Sequence, residues 1–428
     1  MTILIKGGHV LDPAAGTDEV RDLLIEDGVI VQCAKDIKKE AEQTISAEGK
    51  YVMPGLIDMH VHLRDPGFTQ KADVETECRA AARGGYTTIL AMPNTKPVVD
   101  NPDVVHYVHN KAKALGLVHV LQVGAVTKGQ QGEKLSDIRG MVNAGSPAIS
   151  EDGKSVMDSL LAREAMMEAT ECGIPLLAHC EDKNLVNGGV VNADEHAIAQ
   201  GLPGITNSVE DIIIARNIML AKDTGAKLHL CHCSTKNSVD MVRLAKQENV
   251  QVTAEVCPHH FTLTSDDMVP GDTNYKMNPP LRRPEDVDAL KQGLSDGIME
   301  VISTDHAPHS SDDKNHSMLN APFGIVGLET AASLTYTELV LGGYLTPMQM
   351  VEKMSYNPAK ILNLDKGTLA EGSAADITIF DPEYTGAIDK NKFWSKAKNT
   401  PFHGREVTGR VFMTLVDGNV VYDVAQDE

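Results

Sequence analysis

The two ends of the chain share one hydrophobic pattern, in which short apolar runs alternate with Gly, Asp and other turn residues. Examples are residues 3–5 and 28–31 near the N-terminus and residues 411–422 near the C-terminus. Runs this short, separated by turn residues, are typical of antiparallel strands rather than helices. We therefore predict that residues 1–52 and 366–428 fold together as a small β-sandwich domain formed by both chain termini.

Between these ends the pattern changes, because strand-like apolar runs alternate with helical segments. The runs are residues 55–62, 87–93, 118–126, 147–150, 174–179, 226–232, 250–257 and 299–305. Such alternation predicts parallel strands joined by helices. Since eight βα units close a TIM (β/α)8 barrel, we predict an α/β fold with this barrel over residues 53–365. An open doubly wound sheet is the alternative, but no Gly-x-Gly-x-x-Gly follows the first run.

The predicted helices show the expected spacing. In the helix predicted over residues 73–83, Val74, Cys78 and Ala81 share one face, and Gly84 ends the pattern. Segments 158–173 and 208–224 behave in the same way.

Polar residues stand at the ends of several predicted strands, where the active site of a TIM barrel lies. They are His60, His62, Asp152, His179, His232 and Asp305. Because side chains alternate along a strand, His60 and His62 project to the same side. A single histidine at a strand end is more often structural. Four histidines and two carboxylates at one edge favour a metal site.

Six protein ligands exceed the four of one tetrahedral zinc ion, so the set predicts two metal ions. A carboxylate is the natural bridge between them, and we expect Asp152 to provide it, with the adjacent Glu151 as its competitor. Lys154 bridges only if it is carbamylated, and it stands two residues past the strand. Two divalent cations outweigh the charge of two aspartates and a hydroxide. Together with Arg64, this net positive charge favours hydrolysis of an anionic substrate.

Composition excludes several other classes of protein. The formal net charge of −21 argues against a nucleic-acid or anionic-membrane surface. The N-terminus lacks the pattern of a signal peptide, and no apolar run approaches the length of a membrane span. Seven cysteines without a regular spacing are typical of a reducing cytoplasm. We therefore expect a cytoplasmic enzyme.

With these residues assembled, the chain resembles the dihydroorotases of the long bacterial type, in the amidohydrolase superfamily. The resemblance runs nearly end to end. Its most specific motifs are Pro54 to Gly67, which contains His-x-His-x-Arg-Asp-Pro-Gly, and Lys276 to Arg282, which contains Asn-Pro-Pro-Leu-Arg. The motifs Met92 to Thr95, Glu151 to Gly153, Thr304 to His309 and Ala321 to Gly324 also match. Glu151 departs from the family pattern, because many relatives carry Asp there.

The resemblance implies the reversible cyclisation of N-carbamoyl-L-aspartate to L-dihydroorotate in pyrimidine biosynthesis, with two zinc ions per subunit. It assigns His60, His62 and Asp305 to the more buried zinc ion, and His179 and His232 to the second. Asp152 and a hydroxide then bridge the two ions. The resemblance also implies a homodimer and association with aspartate transcarbamoylase.

The resemblance assigns the substrate contacts as well. Arg64, Asn94 and His309 hold the substrate carboxylate, while His62, Asn278, Phe323 and Gly324 complete the substrate site. Asp305 takes the proton of the attacking hydroxide and passes it to the leaving nitrogen. The rival enzymes are an allantoinase or a dihydropyrimidinase, whose neutral rings give Arg64 no carboxylate to hold. The rival outside catalysis is a metal-free scaffold subunit.

Overall fold

The computed structural model describes residues 1–427, which form an α/β protein. The two ends of the chain are rich in β-strands, and parallel strands lie between them in the sequence. The first strands are β1 (Thr2–Asp12), β2 (Thr17–Glu26), β3 (Val29–Ala34), β4 (Gln43–Ser46) and β5 (Tyr51–Pro54). Ile3, Ile5 and Val10 of β1 are completely buried. They pack in one cluster with residues of the C-terminal segment, among them Ile377 and Leu415.

Each of the eight apolar runs of the middle segment contains a strand. The strands of this segment are β6 (Leu56–Val61), β7 (Tyr86–Ala91), β8 (His119–Gln122), β9 (Gly124–Ala125), β10 (Ile149–Ser150), β11 (Leu176–Ala178), β12 (Val191–Asn192), β13 (Gly204–Ile205), β14 (Leu228–Leu230), β15 (Val252–Val256) and β16 (Val301–Ile302). Strands β6, β7 and β8 form one sheet, and β9, β10, β11, β14, β15 and β16 form a second. All of these pairings are parallel, as the sequence predicts.

Two features connect these parallel sheets. Strand β9 follows β8 after a single intervening residue and pairs with β10. At the other side, Val61 at the end of β6 forms a parallel bridge with His306, which follows β16. The backbone N–H of His62 donates to the carbonyl of His306 at 2.8 Å. The end of β6 is therefore hydrogen-bonded to the segment that follows β16.

The C-terminal strands are β17 (Ile377–Ala387), β18 (Glu406–Val416) and β19 (Asn419–Asp423). They join the N-terminal strands in one eight-stranded sheet of order β19-β18-β17-β5-β1-β2-β3, with β4 paired to β1. Both chain ends thus contribute to one sheet. The sheet differs from a purely antiparallel one, because β1 pairs in parallel with β4 and β5. These strands run in the same direction as β1 because the chain reverses once in β2 and again in β3 before β4 begins.

The α-helices lie mostly between the parallel strands. They are α1 (Val74–Arg83), α2 (Pro102–Leu115), α3 (Ile138–Asn143), α4 (Ser159–Cys172), α5 (Lys183–Val186), α6 (Glu195–Ala199), α7 (Ser208–Thr224), α8 (Lys236–Gln247), α9 (Pro258–Thr262), α10 (Pro284–Ser295), α11 (Ser311–Lys314), α12 (Ala331–Thr335), α13 (Pro347–Val351) and α14 (Asn357–Ile361). Asp73 caps α1 by accepting from the backbone of Thr76, and Gly84 ends it. Within residues 1–427, none of these helices has the length and apolar character needed to cross a bilayer.

Candidate active site

The six residues predicted as metal ligands lie at one edge of the parallel strands. His60 lies within β6 and His62 follows it, while Asp152, His179, His232 and Asp305 follow β10, β11, β14 and β16. Because the carboxyl ends of parallel strands meet at the same edge, the fold brings these side chains together. All six residues are buried.

Asp305 and Asp152 lie between the two histidines of the first strand. The Nε2 atom of His62 lies 3.1 Å from Asp305 Oδ1 and 3.4 Å from Asp152 Oδ2. The Nε2 atom of His60 lies 3.1 Å from Asp152 Oδ1 and 3.5 Å from Asp305 Oδ1. The ligand atoms of His60, His62 and Asp305 all lie within 4.8 Å of one another, a spacing that could hold a metal ion.

The two later histidines adjoin the same carboxylate. His179 Nδ1 lies 2.9 Å from His232 Nε2, and Asp152 Oδ1 lies 3.6 Å from the first atom and 3.7 Å from the second. His232 also forms a group of metal-ligand spacing with His60 and Asp152. Asp152 is therefore the residue that touches all four histidines, which is the position that the sequence predicts for a bridging ligand.

The first two histidines each use Nδ1 in a hydrogen bond and direct Nε2 at the carboxylates. His60 donates from Nδ1 to Glu255 at 2.7 Å, and His62 donates from Nδ1 to Asn94 at 2.9 Å. The Nε2 atom of each ring faces an aspartate oxygen. His60 Nε2, Asp152 Oδ1 and His179 Nε2 are buried without a hydrogen-bond partner. His60 Nε2 and Asp152 Oδ1 lie 3.1 Å apart, and a nitrogen and a carboxylate oxygen at this spacing fit a cation as their shared partner.

The charges of the site indicate the same preference. Burial alone would lower the pKa of His60, but Asp152, Asp305 and Glu255 outweigh it and raise the pKa well above its usual range. Burial alone would raise the pKa of Asp152 and of Asp305, but the neighbouring histidines lower both. Both aspartates are thus held ionised, and the cluster attracts positive charge.

Glu255 is a residue of this site that the sequence interpretation missed. It lies in β15, is completely buried, and accepts from His60 Nδ1, from His229 Nε2 at 3.1 Å and from the backbone N–H of His232 at 3.1 Å. One carboxylate therefore orients two predicted ligands. The sequence signal that could have identified Glu255 is that it is the single acidic residue in an otherwise uncharged strand.

The predicted substrate residues line one cavity of about 210 Å³ next to the metal-ligand cluster. Its walls include His62, Arg64, Asn94, Asn278, Asp305, His309, Phe323 and Gly324. Arg64 donates from Nε to the carbonyl of Pro308 at 3.1 Å. Burial lowers the pKa of Arg64 to about 10, so the guanidinium stays charged at neutral pH.

Two glycines allow the cavity to form. Gly324 has a φ of 124°, and a Cβ there would lie 2.6 Å from the Cβ of Ala307. Gly153 has a φ of 77°, and a Cβ there would lie 2.9 Å from Asn94 Nδ2. Any side chain at either position would therefore displace part of the cavity wall.

The alternatives to Asp152 point elsewhere. Glu151 accepts from the backbone N–H of Thr127 at 2.9 Å and from its hydroxyl, on the other side of the strand. Lys154 donates to the carbonyl of Gln130 at 2.8 Å. Asn278 lies at the cavity and donates to Glu181, another residue that the sequence did not indicate.

Comparison with known proteins agrees with this geometry. The family described as Dihydro-orotase-like matches residues 49–238. The dihydroorotase of Acetivibrio thermocellus is 49% identical over 419 residues, covering 98% of each chain, and that of Clostridioides difficile is 48% identical over 422 residues, covering 98% of this chain and 100% of the relative. Among solved structures, L-hydantoinase (dihydropyrimidinase) from Arthrobacter aurescens superposes with a TM-score of 0.88 at 28% identity, covering 98% of this chain and 96% of the hydantoinase. On this similarity along almost its whole length, the chain belongs to the dihydroorotase family.

Proposed function

We propose that this protein is a dihydroorotase, a cyclic amidohydrolase that interconverts N-carbamoyl-L-aspartate and L-dihydroorotate in pyrimidine biosynthesis. The observation that carries the proposal is the position of Arg64. Its buried guanidinium lines the same cavity as Asp305 and His62. One small molecule can therefore contact the guanidinium of Arg64 and the metal-ligand cluster at the same time. A ring with both a carboxylate and a hydrolysable amide fits this arrangement.

The metal centre of the proposed enzyme would hold two zinc ions. His60, His62 and Asp305 would hold one, His179 and His232 would hold the other, and Asp152 would bridge them. The burial of all six side chains supports the assignment, as does the metal-ligand spacing of five of them; the sixth, His179, lies 2.9 Å from His232. When bound, such ions would supply a hydroxide nucleophile at neutral pH and would polarise the amide carbonyl.

Asp305 is the proposed proton carrier. Its carboxylate lines the cavity and lies 3.1 Å from His62 Nε2, so it can reach both the metal-ligand cluster and the substrate. In ring opening, Asp305 accepts the proton of the attacking hydroxide and transfers it to the leaving ring nitrogen. Ring closure uses the same steps in reverse.

The substrate carboxylate lies, in this proposal, between Arg64, Asn94 and His309. Asn94 accepts from His62 through Oδ1, so its Nδ2 donor remains available to the cavity. A carboxylate there accepts charge-assisted hydrogen bonds from the Arg64 guanidinium, and further hydrogen bonds from the Asn94 amide and the His309 imidazole. Asn278 and the backbone at Phe323 and Gly324 contact the pyrimidine ring.

The finer architecture is part of the same proposal. We infer that the eight parallel strands close into a (β/α)8 barrel over residues 53–365; the bridge between Val61 and His306 supports closure. Residues 1–52 and 366–428 then form the β-sandwich domain, supported by the sheet that they share. Homodimer formation and association with aspartate transcarbamoylase rest on the family resemblance, and a cytoplasmic location rests on the cysteine pattern of the sequence.

The experiment that tests this function combines metal analysis with turnover of two rings by the purified protein. L-dihydroorotate carries the carboxylate, and dihydrouracil is the same ring without it. We expect bound metal and strong preference for L-dihydroorotate. Preference for dihydrouracil would instead indicate the activity named for the hydantoinase relatives. Absence of both metal and turnover would indicate a non-catalytic subunit.

A further inference from the structure

Glu181 lies outside every motif of the sequence interpretation but contacts the substrate cavity through Asn278. It follows the last residue of β11 by three positions, at the beginning of the connection to α5. Its carboxylate accepts a hydrogen bond from Nδ2 of Asn278. Asn278 lines the cavity and Glu181 does not. Glu181 therefore stands behind Asn278 rather than in the cavity wall.

The backbone of Glu181 is fixed by hydrogen bonds to a neighbouring segment. Its N–H donates to Ser155 Oγ at 2.9 Å, and the same hydroxyl donates to the carbonyl of His179 at 2.7 Å. Ser155 is buried and follows Asp152 by three positions. Glu181 is therefore held by the segments that carry two of the proposed metal ligands.

The carboxylate of Glu181 determines how the amide of Asn278 is oriented. A carboxylate oxygen can only accept, so the amide atom that faces it is Nδ2 and not Oδ1. The two ends of an amide are close in size, and without a partner the group can turn over and exchange them. Within residues 1–427, the bond to Glu181 is the one hydrogen bond of this side chain. Glu181 is therefore the hydrogen-bonding partner that selects the orientation.

This orientation has a consequence for a ring bound in the cavity. With Nδ2 bonded to Glu181, the oxygen of Asn278 keeps its acceptor positions open. The ring of L-dihydroorotate carries N–H groups, and such a group needs an acceptor when it is buried. The inverted amide would instead place Oδ1 against the carboxylate, where two acceptors repel each other, and would withdraw the acceptor from the ring.

We propose that Glu181 is a positioning residue, which fixes the amide of Asn278 so that Oδ1 accepts a hydrogen bond from an N–H group of the substrate ring. This inference deepens the proposed function and rests on its assignment of the ring to the cavity wall at Asn278. Glu181 itself touches neither the ring nor the reacting atoms, and its effect on binding passes through Asn278.

The direct test is the side-chain amide of Asn278 in the substrate-free wild-type protein. In spectra of protein labelled with ¹⁵N at asparagine, a hydrogen bond from Nδ2 to a carboxylate shifts one of the amide protons downfield, and the Asn278→Ala variant identifies the signals. We expect this shift in the wild type and its loss in Glu181→Ala. Unshifted amide protons in the wild type overturn the proposal, whether or not Glu181→Ala folds.

A double-mutant cycle provides the second readout. For Glu181→Ala we expect the KM for L-dihydroorotate to rise about 3- to 10-fold, the scale of one uncharged hydrogen bond, with unchanged metal content and little change in kcat. Asn278→Ala should raise the KM at least as much. The double variant should match Asn278→Ala alone, because Glu181 then has no amide to hold. Effects that multiply in the double variant overturn the proposal.

Two further variants separate positioning from general support of the cavity. Glu181→Gln keeps an acceptor within reach of Nδ2, so it should recover most of the affinity that Glu181→Ala loses. The matched control is Glu195→Ala, which removes an exposed carboxylate paired with Arg283 in the same stretch between β11 and α7. Its KM should stay unchanged. An equal loss in Glu195→Ala and Glu181→Ala overturns the proposal, because the whole stretch then supports the cavity.

Failure of the proposed function gives a different result. If the wild-type protein binds metal but does not turn over L-dihydroorotate, the enzyme assignment is wrong, while the amide spectrum still reports whether Glu181 holds Asn278. If turnover is normal and the amide protons are unshifted, only the role of Glu181 is wrong.

Discussion

His60 Nδ1 lies 2.7 Å from Glu255 Oε1, and both side chains are completely buried. The other oxygen of Glu255 accepts from His229, and Oε1 also accepts from the backbone of His232. Burial would raise the pKa of Glu255, but His60 and His229 outweigh it and lower the pKa far below its usual range. Glu255 is therefore an ionised carboxylate that fixes the ring of one proposed ligand and the backbone of another.

The first prediction concerns Glu255→Gln. The amide retains the shape of the side chain but loses the charge and one acceptor, so His60 is oriented less firmly. We expect metal affinity to fall roughly 10- to 100-fold, the usual effect of removing the hydrogen-bond partner of a ligating histidine. Chelator competition measures it. The control is Glu248→Gln, an exposed residue paired with Lys222. Equal affinity in both variants would contradict the role of Glu255.

The second prediction separates Asp152 from its neighbour. Asp152→Asn should lower metal content and turnover, because Asp152 is the carboxylate that contacts all four histidines. Glu151→Gln should keep its metal, because Glu151 instead accepts from Thr127. Metal analysis of both purified variants decides between them. Loss of metal in Glu151→Gln with retention in Asp152→Asn would reverse the assignment of the bridge.

The sequence was sufficient to locate the residues that stand at strand ends. His60 and His62 follow from strand alternation, and His179, His232 and Asp305 follow from their position after an apolar run. The parallel strands and helices such as α1 were also predictable, because hydrophobic periodicity and capping residues are local signals.

Other parts of the site depend on contacts between distant segments. Glu255 looked unremarkable because its partners, His60 and His229, lie 195 and 26 residues away in the chain. Lys71 contacts His309 only because its loop meets a loop 238 residues further along the chain. Likewise, the pairing of β5 with β17 joins residues more than three hundred positions apart, and no local pattern specifies such a register.

The third prediction concerns stability and Asp376, which immediately precedes β17. Its carboxylate pairs with Lys366, lies 3.4 Å from His119 Nε2 and accepts from the backbone of Asp417 at 2.9 Å. Burial would raise the pKa, but His119 and Lys366 outweigh it and lower the pKa of Asp376 to about 2. A carboxyl group with a lowered pKa stabilises the folded state only while it is ionised.

The pH dependence follows from this direction. The stabilisation is complete above the unfolded-state pKa of about 3.9 and is lost as the pH falls toward the folded-state value. We expect Asp376→Asn to lower the free energy of unfolding by about 2 kcal/mol at pH 6, with the gap between variant and wild type closing below about pH 4. Urea unfolding across this range measures it. A gap that stays constant with pH would contradict the electrostatic origin.

The last prediction concerns substrate choice and Arg64. Arg64→Met removes the guanidinium from the cavity without touching the six predicted metal ligands, so metal content should remain unchanged. The KM for L-dihydroorotate should rise roughly 10- to 100-fold, because a charge-assisted hydrogen bond to the carboxylate is lost. The kinetics of dihydrouracil, which has no carboxylate, should change little. Arg79→Met is the matched control, since Arg79 is half-exposed on α1 and pairs with Glu75. If Arg64→Met impairs both rings equally, Arg64 supports the cavity wall rather than the carboxylate.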